Sequence, residues 1–166
     1  MLEPPVLIFA GFVLFAAAHD VATMKIPNWV SLAMVAAFPL VGLWAGLSWG
    51  QIGHGLIIGA IALAFCFVMF QFNLMGGGDA KLISAVCVWV GWVGMWAFVP
   101  WMTVAGAILA LALVALRAAI KPSERHPAFF TRLLQPTKGA PYGVAIAAGA
   151  LAAIPLSPMA IALAGA

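Results

Sequence analysis

Long apolar runs with almost no charge follow one another along this chain, and they constrain its fold more than any other feature. Hydrophobic residues make up 66% of the 166 residues and charged residues only 7%, whereas a soluble globular domain carries about 25% charged residues. A run of about 20 apolar residues is long enough to cross a bilayer as a helix. The sequence therefore predicts an all-α, polytopic membrane bundle that forms a single domain over residues 1–166.

The apolar runs divide into six predicted transmembrane helices. Their predicted bounds are Pro4–Thr23, Trp29–Leu47, Ile52–Phe72, Ala80–Val93, Met95–Ala119 and Tyr142–Gly165. The division between the fourth and the fifth helix rests only on the turn-forming sequence at 91–94. Because no basic residue precedes the first run, it does not resemble a secretory signal peptide, and we expect it to be retained as a membrane helix.

The basic residues predict the orientation of this bundle. In the six-helix arrangement all seven lysines and arginines lie on one side of the membrane; they are Lys25, Lys81, Arg117, Lys121, Arg125, Arg132 and Lys138. Loops rich in lysine and arginine face the cytoplasm. The arrangement therefore predicts that this side is cytoplasmic and that both termini face out, whereas five helices would break the pattern.

Two aspartates stand out because the chain holds only four acidic residues in total. Asp20 and Asp79 each adjoin an apolar run, and an ionisable residue in a membrane segment indicates a functional site. The stretch Pro5–Ala18 covers only about 21 Å at 1.5 Å per residue, less than the ~30 Å hydrocarbon core. The first helix must therefore continue past Asp20, and the short fourth run gives the same result for Asp79. Both carboxylates are expected near the cytoplasmic boundary.

Each aspartate also has a purely structural interpretation. Asp79 would cap the fourth helix, with Gly76, Gly77 and Gly78 as the preceding loop, and Asp20 would reach for water or pair with Lys25. Two acids at the same predicted depth instead favour a catalytic pair. Two neighbouring carboxylates share a proton, so the ionised one activates a water and the protonated one donates to the oxyanion and then to the leaving amine.

No other residue set in the sequence competes with this pair. His19 is adjacent to Asp20, but adjacent helical residues point in different directions. His54 is predicted towards the opposite membrane face, and His126 falls in the loop after the fifth helix. No cluster has metal-ligand spacing, and the two cysteines, Cys66 and Cys87, are predicted to be small core residues. We therefore expect neither a metal nor a cofactor.

Three stretches of the chain resemble the type IV prepilin peptidases, which are integral-membrane aspartic proteases of the GxGD class. They are Asp20 followed by Lys25-Ile26-Pro27-Asn28, then 76–82 (GGGDAKL), and 138–145 (KGAPYGVA). The third stretch resembles the start of the last helix in the short branch that serves tight-adherence (Flp) pili. The resemblance covers nearly the whole chain, in order.

This resemblance implies that Asp20 and Asp79 are the catalytic pair of an endopeptidase that removes the leader of Flp-type prepilins. Cleavage would occur at the cytoplasmic face of the bacterial inner membrane, with membrane lipids and the prepilin as partners and no nucleic acid. Substrate-binding or supporting roles fall on five motif residues: Gly76, Gly78, Lys81, Lys25 and Asn28. We also regard the glycines before Asp79 as a candidate hinge.

The longer, bifunctional members of that family carry zinc-binding cysteines and an N-methyltransferase activity after the first helix. Only Val21–Asn28 separates the first two predicted helices here, without cysteines. We therefore expect no zinc, no S-adenosylmethionine site and no methyltransferase activity. Two alternatives stay open: a small proton- or cation-coupled transporter that uses the two aspartates, and a non-catalytic pilus-assembly subunit.

Overall fold

The chain folds into a bundle of helices in the computed structural model, which describes residues 3–120, 127–134 and 139–165. Within these ranges no strand occurs. The helices are α1 Pro4–Thr23, α2 Asn28–Trp44, α3 Trp49–Gln71, α4 Gly77–Ala119, α5 Ala128–Leu134, α6 Gly143–Ala153 and α7 Pro158–Ala164. A short 3-10 turn, Ile154–Leu156, joins α6 to α7. The predicted all-α architecture is therefore confirmed for the described part of the chain.

Four described segments are long and apolar enough to cross a membrane: α1, α3, α4 and the continuous segment Gly143–Ala164. The remaining long helix, α2, is apolar but has only 17 residues. Large side chains are exposed along all of these elements, among them Leu32, Phe65 and Leu111. A bundle that presents leucine and phenylalanine outward fits a lipid environment and identifies a membrane protein.

The long helix α4 covers the fourth and fifth predicted helices and changes direction at Gly91. A straight helix of its 43 residues would be about 65 Å long. Near its end, however, Arg117 donates a hydrogen bond to the carbonyl of Gly139, and the next residue, Ala140, lines a cavity together with Asp79 from the first turn of α4. The two ends of α4 therefore lie at the same end of the bundle.

Gly91 permits this reversal because its backbone is not helical. It has φ 64° and ψ −171°, a conformation that residues with a side chain rarely adopt. A Cβ atom at Gly91 would also lie 2.9 Å from Cγ of Pro158. The break thus falls in the turn sequence predicted at 91–94. The count of six membrane crossings, which needs both halves of α4 to span the bilayer, stays a prediction.

The core of the bundle is built around Trp89, which is buried in the first half of α4. Its ring stacks on Phe9 of α1 at 5.3 Å between ring centroids and meets Phe38 of α2 at 5.6 Å. Its indole Nε1 donates a 3.0 Å hydrogen bond to the carbonyl of Met34. One side chain thereby joins three helices at mid-bundle, where the buried indole N–H needs a partner.

The third helix begins at Trp49 rather than Ile52, because Ser48 and Gln51 form a capping box that satisfies the first backbone N–H groups.

The predicted orientation depends on seven cations. Of these, Lys121, Arg125 and Lys138 lie outside the described residues, as does the side chain of Arg132. The cytoplasmic assignment therefore stays a prediction.

Candidate functional site

A cavity of about 390 Å³ lies between the end of α1 and the start of α4. Both predicted catalytic residues, Asp20 and Asp79, line it. Four of the five predicted supporting residues line it as well, namely Lys25, Asn28, Gly76 and Gly78, together with Met24, Ile26 and Ala140. The structure thus brings two acids that are 59 positions apart in the sequence (79 − 20) to one polar opening.

Asp20 is buried in the last turn of α1. Its Oδ2 accepts a 2.8 Å hydrogen bond from the backbone N–H of Gly143, which is the first residue of α6. The carboxylate therefore sits at a helix N-terminus, where free N–H groups and the helix dipole favour an acidic group. This bond fixes one carboxylate oxygen and leaves the other available for a ligand.

Hydrogen bonds from two side chains of α1 stabilise the turn between α1 and α2. His19 Nδ1 donates a 2.8 Å hydrogen bond to the carbonyl of Lys25, and Thr23 Oγ1 donates to the carbonyl of His19. Met24 adopts a left-handed conformation with φ 57°, and its N–H donates to the carbonyl of Asp20. His19 therefore has a structural role, and the turn that it stabilises carries Lys25 and Ile26 to the cavity.

Asp79 is half-buried and lies in the first turn of α4. Gly76 occupies the N-cap position, so the interpretation of Asp79 as the cap of this helix does not hold. A Cβ atom on Gly76 would lie 2.7 Å from Oδ2 of Asp79. A side chain at position 76 would therefore displace the Asp79 carboxylate from its present position.

Gly78 is small enough to let the start of α4 approach the turn after α1, and its backbone conformation is not one that favours glycine. A Cβ atom at this position would lie 3.3 Å from Cβ of Ile26, in the turn after α1. Neither Gly76 nor Gly78 has a positive φ. In this conformation both glycines let two segments approach closely, and the hinge stays a prediction.

Lys81 is the one predicted supporting residue that does not line the cavity. Its Nζ donates a 2.9 Å hydrogen bond to Oδ1 of Asn28, and it lies in a neighbouring groove between α2, α3 and α4. Because Lys81 comes two residues after Asp79, helix geometry turns it towards a different face. Lys81 thus meets the cavity only through Asn28.

Gly143 and Ala140 are site residues that the sequence analysis did not single out. A Cβ atom on Gly143 would lie 2.9 Å from Oδ2 and 3.0 Å from Cβ of Asp20, so this position has no room for a side chain. The available signal was the third resembling stretch, 138–145, which contains both residues. The contact of this stretch with α1 joins residues 123 positions apart, and no short sequence pattern predicts a contact over that distance.

The arrangement is suited to acid–base chemistry on a peptide. Two carboxylates on one cavity can hold a water between a proton acceptor and a proton donor. The cavity, about 390 Å³, has room for more than one water beside the two carboxylates. Across the described residues, no group of three His, Cys, Asp or Glu side chains is placed to hold a metal ion.

Fold and site together describe a helical membrane protein with a paired-carboxylate cavity at one end of the bundle. The sequence profile of the type IV leader peptidase family matches residues 7–115, about two thirds of the chain, and the chain belongs to this family. The matched region contains Asp20, Asp79 and all five predicted supporting residues. Neither a curated protein nor a solved structure matches the chain. The resemblance to prepilin peptidases is thereby confirmed, and the family implies peptidase activity.

Proposed function

We propose that this protein is an aspartic-type endopeptidase that removes the leader peptide of prepilins, of the Flp type, at the cytoplasmic face of the bacterial inner membrane. The observation that carries the proposal is the single cavity lined by Asp20 and Asp79. The family supports a leader peptidase, and the paired acids supply the type of chemistry. No cofactor is needed for such a hydrolysis.

In the proposed reaction the two carboxylates hold one proton between them. The ionised carboxylate takes a proton from a water, whose oxygen forms a bond to the scissile carbonyl carbon, while the protonated carboxylate donates to the developing oxyanion. Collapse of the tetrahedral intermediate breaks the C–N bond. The leaving amine takes up the proton that came from water, and a hydroxyl of the intermediate returns its proton to the dyad. The hydrogen bond from Gly143 keeps Asp20 in position during both steps.

The proposed cytoplasmic location is supported by the cations that the structure describes. Lys25 lines the cavity, Lys81 contacts it through Asn28, and Arg117 bonds to Gly139, next to the cavity residue Ala140. All three lie at the end of the bundle that carries the aspartates. By the positive-inside rule this end faces the cytoplasm, where the basic leader of a prepilin would remain.

The depth of the aspartates also distinguishes this proposal from transport. Asp20 lies three residues before the end of α1 and Asp79 two residues after the start of α4, whereas the ion and substrate sites of transporters lie near the middle of the membrane. A shallow pair at a water-accessible cavity suits cleavage at the membrane edge. Proton flux that depends on Asp79 in reconstituted vesicles would instead support a transporter.

The direct experiment incubates the purified protein, in detergent and in vesicles, with single-helix prepilins that carry a basic leader. Mass spectrometry then maps the products. We expect one cut between the basic leader and the apolar helix. A matched substrate in which neutral residues replace the leader cations controls for non-specific proteolysis. Absence of any cut across a panel of Flp-type and other prepilins, by protein that is folded and monodisperse, would contradict the proposal.

A further inference from the structure

A second opening lies beside the cavity of the aspartates and is almost wholly apolar. It is a groove of about 490 Å³ between α2, α3 and α4, which we call the α2–α4 groove. Its apolar lining includes Leu32, Val35, Leu56, Leu63, Ala85 and Val88. Leu32 and Leu63 remain 71% and 45% exposed, so the groove is open towards the side of the bundle, where lipid or another helix can enter.

The α2–α4 groove adjoins the cavity at one shared residue. Asn28 lines both openings, and its Oδ1 accepts the 2.9 Å hydrogen bond from Lys81 at the end of the groove. From Lys81 to Val88 the groove follows α4 for about 10 Å, or about two helical turns. A peptide chain that leaves the cavity past Asn28 would enter the α2–α4 groove, which runs towards the middle of the bundle.

One buried hydroxyl in the wall of the groove has no partner. Ser31 of α2 lines the groove and is buried, yet its Oγ forms no hydrogen bond to any described residue. The other groove serine, Ser84, already donates to the carbonyl of Ala80. A buried hydroxyl without a partner is unfavourable. Ser31 offers a hydrogen-bonding group, one helical turn beyond Asn28, to an occupant of the groove.

The geometry points to the apolar helix of the substrate as this occupant. In this inference, which rests on the proposed function, the residues just after the scissile bond pass Asn28 in an extended form. Their backbone reaches Ser31 once its hydroxyl rotates towards the groove, and the helix that follows packs against Leu32, Leu63 and Val88. A lipid would fill the same apolar space, and the cross-linking experiment below separates it from the substrate helix. The groove thus selects substrates whose cleavage site leads directly into an apolar helix.

The kinetic test narrows the groove and compares two substrates. Ala60 lines the groove and is exposed, so Ala60→Phe fills it without disturbing the core. Ala107→Phe is the matched control, because Ala107 is exposed in the second half of α4 and lines neither opening. We expect Ala60→Phe to lower kcat/KM at least tenfold for a full-length prepilin, mainly through KM. For a soluble peptide that spans the cut but lacks the helix, the loss should be below threefold.

Equal losses on both substrates, or no loss on the full-length one, would overturn the inference while leaving the proposed function standing. Binding is followed separately with the photoreactive residue p-benzoylphenylalanine at Leu63 in the groove and, as a control, at Leu111, which is exposed elsewhere. Cross-links from position 63 to the prepilin helix support the groove even if no cleavage is seen, an outcome that would refute only the proposed function. Cross-links from position 63 to lipid alone would refute the groove.

Discussion

The backbone N–H of Gly143 donates a 2.8 Å hydrogen bond to Oδ2 of Asp20 and so ties the start of α6 to the end of α1. The contact joins residues at opposite ends of the sequence and holds one of the two acids in place. It also extends the site beyond the part of the chain that the family profile matches, which ends at residue 115.

Replacing Gly143 should therefore damage the site without unfolding the protein. In Gly143→Ala the new methyl group would lie 2.9 Å from Oδ2 of Asp20, so the carboxylate must shift. A displacement of about 1 Å can cost roughly 100-fold in rate, and we expect a loss of at least about tenfold in kcat. Gly11→Ala is the control, because nothing lies within 4 Å of its new Cβ atom. Equal rates for both variants would show that the contact is dispensable.

The approach of Gly78 to Ile26 predicts a different kinetic pattern. In Gly78→Ala the added methyl group would lie 3.3 Å from Cβ of Ile26 and 3.6 Å from its carbonyl oxygen, which keeps the first turn of α4 away from the turn after Asp20. If these segments must move together when substrate binds, kcat should fall by about three- to tenfold with KM within about twofold. Gly77→Ala, which meets only the ring of Phe70, should behave as the wild type. A higher KM with unchanged kcat would speak against the hinge.

Trp89 should dominate the stability of the bundle. Trp89→Ala removes a buried ring that contacts Phe9 and Phe38 and the hydrogen bond to Met34, a loss of about 3–5 kcal/mol by analogy with other buried aromatic side chains. We expect a clear drop in the thermal unfolding midpoint in detergent. Trp92→Ala, at an exposed position three residues on, should change the midpoint little. A comparable drop in both variants would argue against a core centred on Trp89.

The reversal at Gly91 predicts the side of the membrane from which introduced cysteines along α4 can be labelled. Single cysteines in place of Leu74, just before α4, and Ala119, its last residue, should react with an impermeant maleimide from the same side, because both ends of α4 lie together. A cysteine in place of Trp92 should react from the opposite side. The native Cys66 and Cys87 are buried, so we expect the maleimide to label these two thiols only weakly. Labelling of positions 74 and 119 from opposite sides would mean that α4 crosses only once.

Local sequence patterns predicted much of this structure. The first helix has the predicted bounds, Pro4–Thr23, because Pro4 and Pro5 suit a helix start and Pro27 blocks its continuation. The pairing of Asp20 with Asp79 followed from helix lengths and charge placement, which depend only on the order of residues. The capping box at Ser48 and Gln51 is also a local signal, and the predicted start at Ile52 missed it because hydropathy does not report caps.

Contacts between distant segments could not be predicted in the same way. The hydrogen-bond donor to Asp20 is the backbone N–H of Gly143. Every residue except proline has such a donor, so the residue type does not identify it. Lys81 belongs to the same motif as Asp79, but residues two positions apart on a helix point in different directions. Lys81 therefore hydrogen-bonds Asn28 beside the α2–α4 groove. The reversal at Gly91 was visible as a glycine-rich turn, but only the contact with Pro158 shows how it is held.

The most direct test of the account is the rate of leader removal by Asp20→Asn and Asp79→Asn, each compared with the wild type on the same prepilin. Asparagine keeps the shape of aspartate, and at position 20 it can still accept the hydrogen bond from Gly143. It has no carboxyl group, however, to take up or donate a proton in the reaction. We expect each variant to accumulate in the membrane with an unchanged unfolding midpoint and to lose at least about a thousandfold in kcat. Processing by either variant within about tenfold of the wild-type rate would contradict a catalytic pair formed by Asp20 and Asp79.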